Sequence, residues 1–151
     1  MASLLPDLQM TGVEINKKAA EISSNLERVK IYNMSALDFK TEQKFDLTFT
    51  SGVLIHINPD ELPAMYNKLY HFSKRYILIA EYYNPTPVEV IYRQNKGKLF
   101  KRDFAGEMMD KFPDLTLISY GFVYHRDNNF PMDDVSWFLF RKCYGDVSNY
   151  V

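Results

Sequence analysis

Apolar and polar residues alternate along the stretch that begins at Phe45. Phe45, Leu47 and Phe49 are separated by polar residues, and Thr and Phe both favour extended backbone. This period of two predicts a strand with one buried face. The strand is expected to end at Ser51 and Gly52, which are the first residues free to turn.

A helix is predicted shortly after this strand. Asn58 is a capping residue, Pro59 suits the first helical position, and Glu61 places a carboxylate three residues past the cap. The connection between strand and helix is apolar except for one imidazole, that of His56. Because an open α/β sheet binds ligands outside the carboxyl ends of its strands, we predict that residues 50–57 form the floor of a site.

Strands and helices are predicted to alternate along the rest of the chain. Strands are predicted over 8–15, 29–32, 76–80, 115–124 and 135–142, and helices over 17–26, 59–73 and 103–111, with Asn16 as the cap of the first helix. Two of these strands flank the first helix, as in a βαβ unit. The last two strands must pair antiparallel as a hairpin, because their connection is too short for a crossover helix.

Two segments are predicted to be irregular. Leu4-Leu5-Pro6-Asp7 resembles the end of a helix, because proline cannot continue one. The segment from Tyr82 to Phe100 contains Pro85 and Pro87 and has no clear period. We expect it to form a loop or lid on the substrate side.

Composition bounds the class of protein. The 151 residues suit one domain, with 46% hydrophobic and 25% charged residues, and a formal net charge of −1 without a broad basic surface argues against nucleic acid. The chain has no apolar run long enough to span a membrane and no signal peptide, so we expect a soluble, cytoplasmic protein. The single cysteine, Cys143, excludes an internal disulfide and a cysteine-based zinc site.

His56 is the sharpest single candidate for chemistry. Among apolar neighbours its imidazole is expected to be partly desolvated, which favours the neutral form and suits a proton acceptor. The alternative is a hydrogen-bonded core histidine. His56 and His125 are far apart in sequence, and neither has carboxylates at ligand spacing, so we predict no metal site.

Five segments carry a resemblance to a known family. Thr11–Asn16, Phe45–Leu62, Ala80–Pro87, Lys98–Glu107 and Tyr120–Asp127 resemble the pseudaminic-acid-biosynthesis-associated methylases. These are small class I methyltransferases that use S-adenosyl-L-methionine (SAM). The resemblance implies an α/β fold with an incomplete Rossmann-like sheet, mostly parallel, ending in an antiparallel hairpin, and a single methyltransferase-like domain over residues 1–151.

One departure from that family concerns the cofactor. The family begins with a central strand and a glycine-rich loop that hold the methionine end of SAM, whereas the six glycines of this chain are all isolated. The chain therefore looks truncated at its N-terminus, with SAM binding weakened or lost. Without that strand, the Glu14 strand could pair directly with the Phe49 strand, a homodimer could form through exposed sheet edges, or the chain could remain a fragment; we favour closure or a dimer.

The resemblance also implies cofactor contacts. Glu14, at a strand's carboxyl end, would bind both ribose hydroxyls, with a capping or solvated carboxylate as the alternative. Small residues after the next two strands would surround the adenine and the methionine part, with a plain turn and a simple strand terminus as the alternatives. These are Ser35 and Ala36 for the adenine, and Thr50, Ser51 and Gly52 for the methionine part.

Several residues are expected to bind the acceptor. Tyr82, Tyr83 and Asn84 would shape its pocket, unless the tyrosines belong to the core. Arg93, Lys101 and Arg102 would pair with a sugar carboxylate, unless they are solvated surface. His125 lies in the final hairpin turn with Arg126 and Asp127, where substrate contact and a loop-fixing ion pair are equally supported.

The expected function is methyl transfer from SAM to an oxygen or nitrogen atom of a small-molecule, sugar-related acceptor linked to nonulosonic or pseudaminic acid biosynthesis. The alternative is a non-catalytic remnant of the methyltransferase fold that serves as an interaction module. A nucleotide-binding oxidoreductase is a third reading, and the C-terminal hairpin argues against it.

Overall fold

The computed structural model describes residues 7–129 and 131–143. The chain forms two compact units, Met1–Thr41 and Glu42–Val151, which are described separately. The helix end predicted at Leu4-Leu5-Pro6 lies outside the described residues. The single-domain organisation stays a prediction.

The first unit contains a βαβ arrangement. Strand β1 (Met10–Val13) pairs in parallel with β2 (Val29–Tyr32), and helix α1 (Lys17–Ser23) connects them. The side-chain oxygen of Asn16 accepts a hydrogen bond from the backbone N–H of Ala19 at 3.1 Å. The predicted βαβ unit and its cap are therefore confirmed.

The second unit is built on a four-stranded mixed sheet. Its strands are β3 (Phe45–Ser51), β4 (Ser73–Glu81), β7 (Leu115–Val123) and β8 (Val135–Lys142), in the spatial order β3-β4-β8-β7. Strands β3 and β4 are parallel, whereas β8 is antiparallel to both of its neighbours. The predicted C-terminal hairpin is confirmed, and its second strand lies inside the sheet.

Two helices of the second unit pack on this sheet. They are α2 (Leu62–Phe72), preceded by a short 3-10 turn over Pro59–Glu61 that Asn58 caps, and α3 (Phe104–Lys111), which Asp103 caps. The hydroxyl of Thr48 donates to the carbonyl oxygen of Leu69 at 2.8 Å and so marks the sheet face that α2 covers.

The two faces of β4 differ in burial. Ile77 and Ile79 are fully buried, together with Phe140 of β8, whereas Leu78 and Ala80 on the opposite face are only half-buried. The prediction that this strand is buried on both faces is therefore wrong. Phe49 of β3 lies on the same face as its partner Leu78 and is 48% exposed, so the apolar packing concentrates on the α2 side.

The expected closure of the sheet stays a prediction. Among the described strands, β1 pairs only with β2, and β3 pairs only with β4. Each of these pairings lies within one unit and uses one edge of the strand. A homodimer through exposed edges stays a prediction.

The segment after β4 contains regular structure that the sequence pattern did not predict. Strands β5 (Val88–Glu89) and β6 (Phe100–Lys101) pair antiparallel, and the buried Leu99 accepts a backbone hydrogen bond from Val90 at 2.8 Å. Arg93 and Gln94 both adopt positive φ at the tip, as the two central residues of a type I′ turn do. The prediction of a wholly irregular loop is therefore wrong.

No helix among the described residues is long and apolar enough to cross a membrane.

The buried face of the sheet predicts a large effect for one core substitution. Phe140 is fully buried and pairs with Ile77 and Leu117. We expect Phe140→Ala to lower the free energy of unfolding by about 3–5 kcal/mol, because it leaves a cavity between packed neighbours. Urea denaturation followed by the fluorescence of Trp137, the single tryptophan, measures the change.

Phe122→Ala is the matched control, since Phe122 on the neighbouring strand is 59% exposed. We expect a change within about 0.5 kcal/mol for this variant. Equal destabilisation by the two substitutions would contradict the assignment of the core to one sheet face.

Candidate functional site

A cleft of about 570 Å³ lies at the carboxyl ends of β3 and β4. The ends of these two strands provide its floor, and the segment between β7 and β8 provides the facing wall. It is lined by Ser51, Gly52, Tyr82, His125, Pro131, Met132, Asp133 and Val135. Of the residues predicted for the site, Ser51, Gly52, Tyr82 and His125 are thus brought together, while the side chain of Thr50 is buried beneath the strand end.

Gly52 turns the chain away from the sheet. Its φ is +63°, a conformation that residues with a side chain rarely adopt, and its N–H donates to the carbonyl oxygen of Ala80 at 3.0 Å. A Cβ atom built at this position would meet no atom within 4 Å. The backbone at the cleft floor is therefore open to close approach by a ligand.

A buried carboxylate holds the turn that follows Gly52. Glu81, at the end of β4, is 2% exposed, and its two oxygens accept hydrogen bonds from the backbone N–H groups of Val53 at 3.1 Å and Ile55 at 3.4 Å. Burial raises the pKa of Glu81, and the hydrogen bonds oppose that rise. Sequence reasoning missed this residue, although an acid closing an apolar strand was a signal for it.

His56 ends the short 3-10 turn Leu54–His56. Its Nδ1 lies 2.6 Å from the carbonyl oxygen of Lys98, so Nδ1 carries the proton, and its ring lies 5.5 Å from that of Tyr92. The side chain is exposed and is not among those that line the cleft, so the expected desolvation is wrong. The apolar neighbours Leu54 and Ile55 point into the core instead, and a catalytic role for His56 stays a prediction.

Tyr82 and Asp133 form a hydrogen-bonded pair in the cleft. The Tyr82 hydroxyl donates to Asp133 Oδ2 at 2.5 Å, and this bond raises the pKa of Tyr82 to about 12. The ammonium of Lys101 lies 5.0 Å from the centre of the Tyr82 ring. Tyr82 therefore keeps its proton at neutral pH, and its oxygen can accept a further hydrogen bond.

His125 and Asp134 form a second hydrogen-bonded pair, between the end of β7 and the start of β8. Asp134 Oδ1 accepts from the backbone N–H of His125 and from its Nδ1, both at 2.9 Å, and the Tyr124 ring meets the imidazole edge-on at 4.8 Å. These hydrogen bonds lower the pKa of Asp134. The imidazole of His125 thus contacts Asp134 and also lines the cleft, and the choice between a loop-fixing ion pair and substrate contact stays a prediction.

Two of the other residues predicted to bind the acceptor have their side chains engaged elsewhere. The guanidinium of Arg102 pairs with Glu107 at 2.5 Å, and Glu107 also accepts from the Tyr66 hydroxyl at 2.7 Å. The amide of Asn84 donates to the carbonyl oxygen of Thr86 at 2.5 Å. Neither residue lines the cleft.

Tyr83 and Arg93 do not line the cleft either. Tyr83 is 45% exposed, with its ring 6.1 Å from that of Phe138, and Arg93 lies at the hairpin tip with its guanidinium 5.1 Å from the Tyr92 ring. Contacts of Tyr83, Asn84, Arg93 and Arg102 with an acceptor stay predictions.

The first unit contains the remaining predicted cofactor residues. Glu14 Oε1 accepts from the backbone N–H of Asn16 at 2.7 Å, and its Oε2 has no hydrogen-bond partner among the described residues. The turn after β2 is hydrogen-bonded to Glu14, since the Met34 N–H donates to the Glu14 carbonyl oxygen at 3.1 Å. Ser35 and Ala36 lie in that turn, where Ser35 Oγ accepts from the N–H of Leu37 at 3.2 Å.

Solved structures share this architecture, although no protein-family model and no curated protein matches the chain. The 1,6-didemethyltoxoflavin-N1-methyltransferase of Burkholderia thailandensis superimposes with a TM-score of 0.67 over 93% of this chain and 74% of that chain, at 11% identity. The N-methyltransferase NodS of Bradyrhizobium japonicum gives 0.68 over 93% and 70%, at 13% identity. The chain has the α/β fold of class I methyltransferases.

A third structure with the methyltransferase fold is the O-methyltransferase of a polyketide synthase from Brevibacillus brevis. It gives a TM-score of 0.68 at 15% identity, and the match covers 93% of this chain and 61% of that one. All three structures were solved in complex with S-adenosylhomocysteine (SAH), and the first also holds its substrate, 1,6-didemethyltoxoflavin.

The buried carboxylate in this methyltransferase fold predicts a pH-dependent effect. Burial raises the folded-state pKa of Glu81 above its ordinary value of 4.5. The stability that Glu81 contributes through this shift is therefore present at low pH and is lost as pH rises through the raised pKa. Gln cannot ionise but supplies only one acceptor oxygen. We expect Glu81→Gln to destabilise the fold, and the deficit to shrink from about pH 4 to about pH 7.

Urea denaturation of both proteins across this pH range measures the difference. Glu61→Gln, at an exposed position in the turn before α2, is the control and should give a flat difference. A deficit for Glu81→Gln that grows with pH would contradict a raised pKa for Glu81.

Proposed function

We propose that this chain is a SAM-dependent methyltransferase that acts in the cytoplasm on a small-molecule, sugar-related acceptor linked to nonulosonic or pseudaminic acid biosynthesis. The observation that carries the proposal is the cleft at the carboxyl ends of β3 and β4, within the class I methyltransferase fold. In an open α/β sheet this is the position of the ligand. The SAH in the three similar structures supports the choice of cofactor.

Each unit, taken by itself, contains residues whose chemistry suits one part of that cofactor. Glu14 has a carboxylate oxygen without a described partner for the ribose hydroxyls, near the turn that contains Ser35 and Ala36. Ser51 and Gly52 offer an unobstructed backbone for the methionine part. No glycine-rich loop occurs among the described residues. When bound, SAM supplies an electrophilic methyl group on a sulfonium.

The cleft selects an acceptor that donates hydrogen bonds. The Tyr82 proton is committed to Asp133, so the Tyr82 oxygen and the Asp133 carboxylate both face an acceptor as hydrogen-bond acceptors. Hydroxyl groups of a sugar, or an amine, satisfy them. Met132 and Val135 add apolar wall, which suits the carbon skeleton of such a molecule.

Lys101 is the cation that best suits a carboxylate on the acceptor. Its ammonium lies over the Tyr82 ring at 5.0 Å, whereas Arg102 is paired with Glu107 and Arg93 lies at the hairpin tip. An acid of the sugar type would place its carboxylate toward Lys101 and its hydroxyl groups toward Tyr82 and Asp133.

A non-catalytic interaction module is the second candidate. The exposed Phe49 on β3, whose only described strand partner is β4, favours it. An open strand edge beside apolar side chains is a surface on which another chain can add a strand. This candidate requires no cofactor, so ligand binding separates the two.

Calorimetric titration with SAM, SAH and NADH tests the proposed function. We expect micromolar binding of SAM and SAH and none of NADH. Gly52→Val should weaken SAM binding by at least about tenfold, because it places a side chain at the cleft floor and strains a backbone with positive φ.

Gly97→Val is the control that separates an effect of backbone strain from an effect on the cleft. Gly97 has a similar φ of +67° and open space around it, but it lies outside the cleft lining. We expect this variant to bind SAM like the wild type. NADH binding without SAM binding would contradict the proposal, and silence with all three ligands would support the interaction module.

A further inference from the structure

The imidazole of His125 lines the cleft, and one of its ring nitrogens has a lone pair that the proposed contacts with cofactor and acceptor do not use. We propose that Nε2 of His125 takes the proton from the acceptor's hydroxyl or amine group in this cleft, with Asp134 as the residue that positions the imidazole. The inference rests on the proposed function, because it assigns the proton acceptor for that same site.

The geometry determines which ring nitrogen is available. Nδ1 of His125 lies 2.9 Å from Oδ1 and 3.0 Å from Oδ2 of Asp134, and an ionised carboxylate can only accept hydrogen bonds. Nδ1 therefore carries the hydrogen, and Nε2 of the neutral ring keeps its lone pair. The backbone N–H of His125 donates to the same carboxylate, so ring and main chain are held together.

The other polar groups that line the cleft are poorer proton acceptors. The Tyr82 hydroxyl is already protonated and engaged with Asp133, and the pKa of Tyr82 is raised to about 12. The Asp133 carboxylate already accepts the hydrogen bond from the Tyr82 hydroxyl. The Ser51 hydroxyl is not a base near neutral pH. An imidazole, in contrast, has an ordinary pKa close to neutral pH.

The proton transfer conserves atoms and charge. The O–H or N–H bond of the acceptor breaks, its electron pair stays on the oxygen or nitrogen, and an N–H bond forms at Nε2 of His125. The resulting imidazolium faces the Asp134 carboxylate, which stabilises its positive charge. Among the other charged groups, Lys101 helps to lower the pKa of Asp134, Asp133 lines the cleft, and Arg126 and Asp127 follow His125 in the chain. Positioned bases of this kind contribute about 10²–10⁴-fold to rates.

Nitrogen NMR of the imidazoles tests the geometry without any ligand. The chain has three histidines, so His71→Asn and His125→Asn variants assign the signals. We expect His125 to carry its hydrogen on Nδ1. Asp134→Asn should shift the hydrogen toward Nε2, because it removes the carboxylate that can only accept and offers an amide that can donate to Nδ1. A wild-type His125 with its hydrogen on Nε2 would overturn the proposal.

Asp127→Asn is the matched control for the carboxylate. Asp127 lies in the same hairpin connection, and its Oδ1 accepts from the N–H of Asn129 rather than from His125. We expect the tautomer of His125 to be unchanged in this variant. An equal shift in both Asn variants would assign the effect to general charge and overturn the positioning role of Asp134.

Titration with 4-nitrophenol tests proton transfer itself, because its phenolate absorbs visible light. At a pH below the probe's own pKa, the wild type should raise the phenolate absorbance, His125→Asn should abolish that rise, and Asp134→Asn should reduce it several-fold. His71→Asn, at an exposed position in the last turn of α2, should behave like the wild type. The same absorbance with wild type and His125→Asn would overturn the proposal.

Calorimetry with SAH on the same samples separates the two hypotheses. We expect the wild type to bind SAH, which tests the cofactor site independently of proton transfer to His125. SAH binding without nitrophenol ionisation overturns the His125 proposal alone. Nitrophenol ionisation without SAH binding overturns the methyltransferase function and keeps His125 as a proton acceptor of the cleft.

Discussion

The hydrogen bonds between the buried Glu81 carboxylate and the turn after Gly52 are the constraint on which the candidate site depends. Val53 and Ile55 would otherwise leave backbone N–H groups without partners at the junction between strand and turn. Two carboxylate oxygens satisfy both, and the last residue of β4 thereby sets the path of the chain that leaves β3. Burying the acid is unfavourable in itself, but removing it would leave the amides unpaired.

The facing wall of the cleft depends on two adjacent acids with different partners. Asp133 is bonded to Tyr82, which follows β4, and Asp134 is bonded to His125, which follows β7. One dipeptide thus ties the hairpin connection to two separate strand ends. Because each bond engages one atom of its partner, the Tyr82 oxygen and His125 Nε2 stay available for a ligand.

Local patterns predicted most of the regular elements. The alternation at Phe45 and the caps at Asn16 and Asn58 were confirmed, because strand period and helix capping are local properties of the chain. Burial was harder to predict. The apolar run around Ile77 predicts a strand buried on both faces, but the burial of each face depends on which elements pack against it.

The contacts that define the cleft could not be predicted from local patterns. Asp134 meets His125 because Val123 pairs with Val135, which is a matter of hairpin register rather than of spacing. The turn at Arg93 and Gln94 has positive φ without glycine, so its sequence lacks the usual hairpin signal. The exposure of His56 likewise follows from the direction of a 3-10 turn, since its two apolar neighbours take the buried positions.

Strand β8 lies between β4 and β7, although it comes last of the sheet's strands along the sequence. During synthesis, β3 and β4 therefore emerge well before the strand that bridges them to β7. Until β8 has left the ribosome, β4 has an open edge with Ile77 and Ile79 uncovered by Phe140. A chain with this strand order keeps an apolar strand edge open for longer during synthesis than a chain whose neighbouring strands follow one another in sequence.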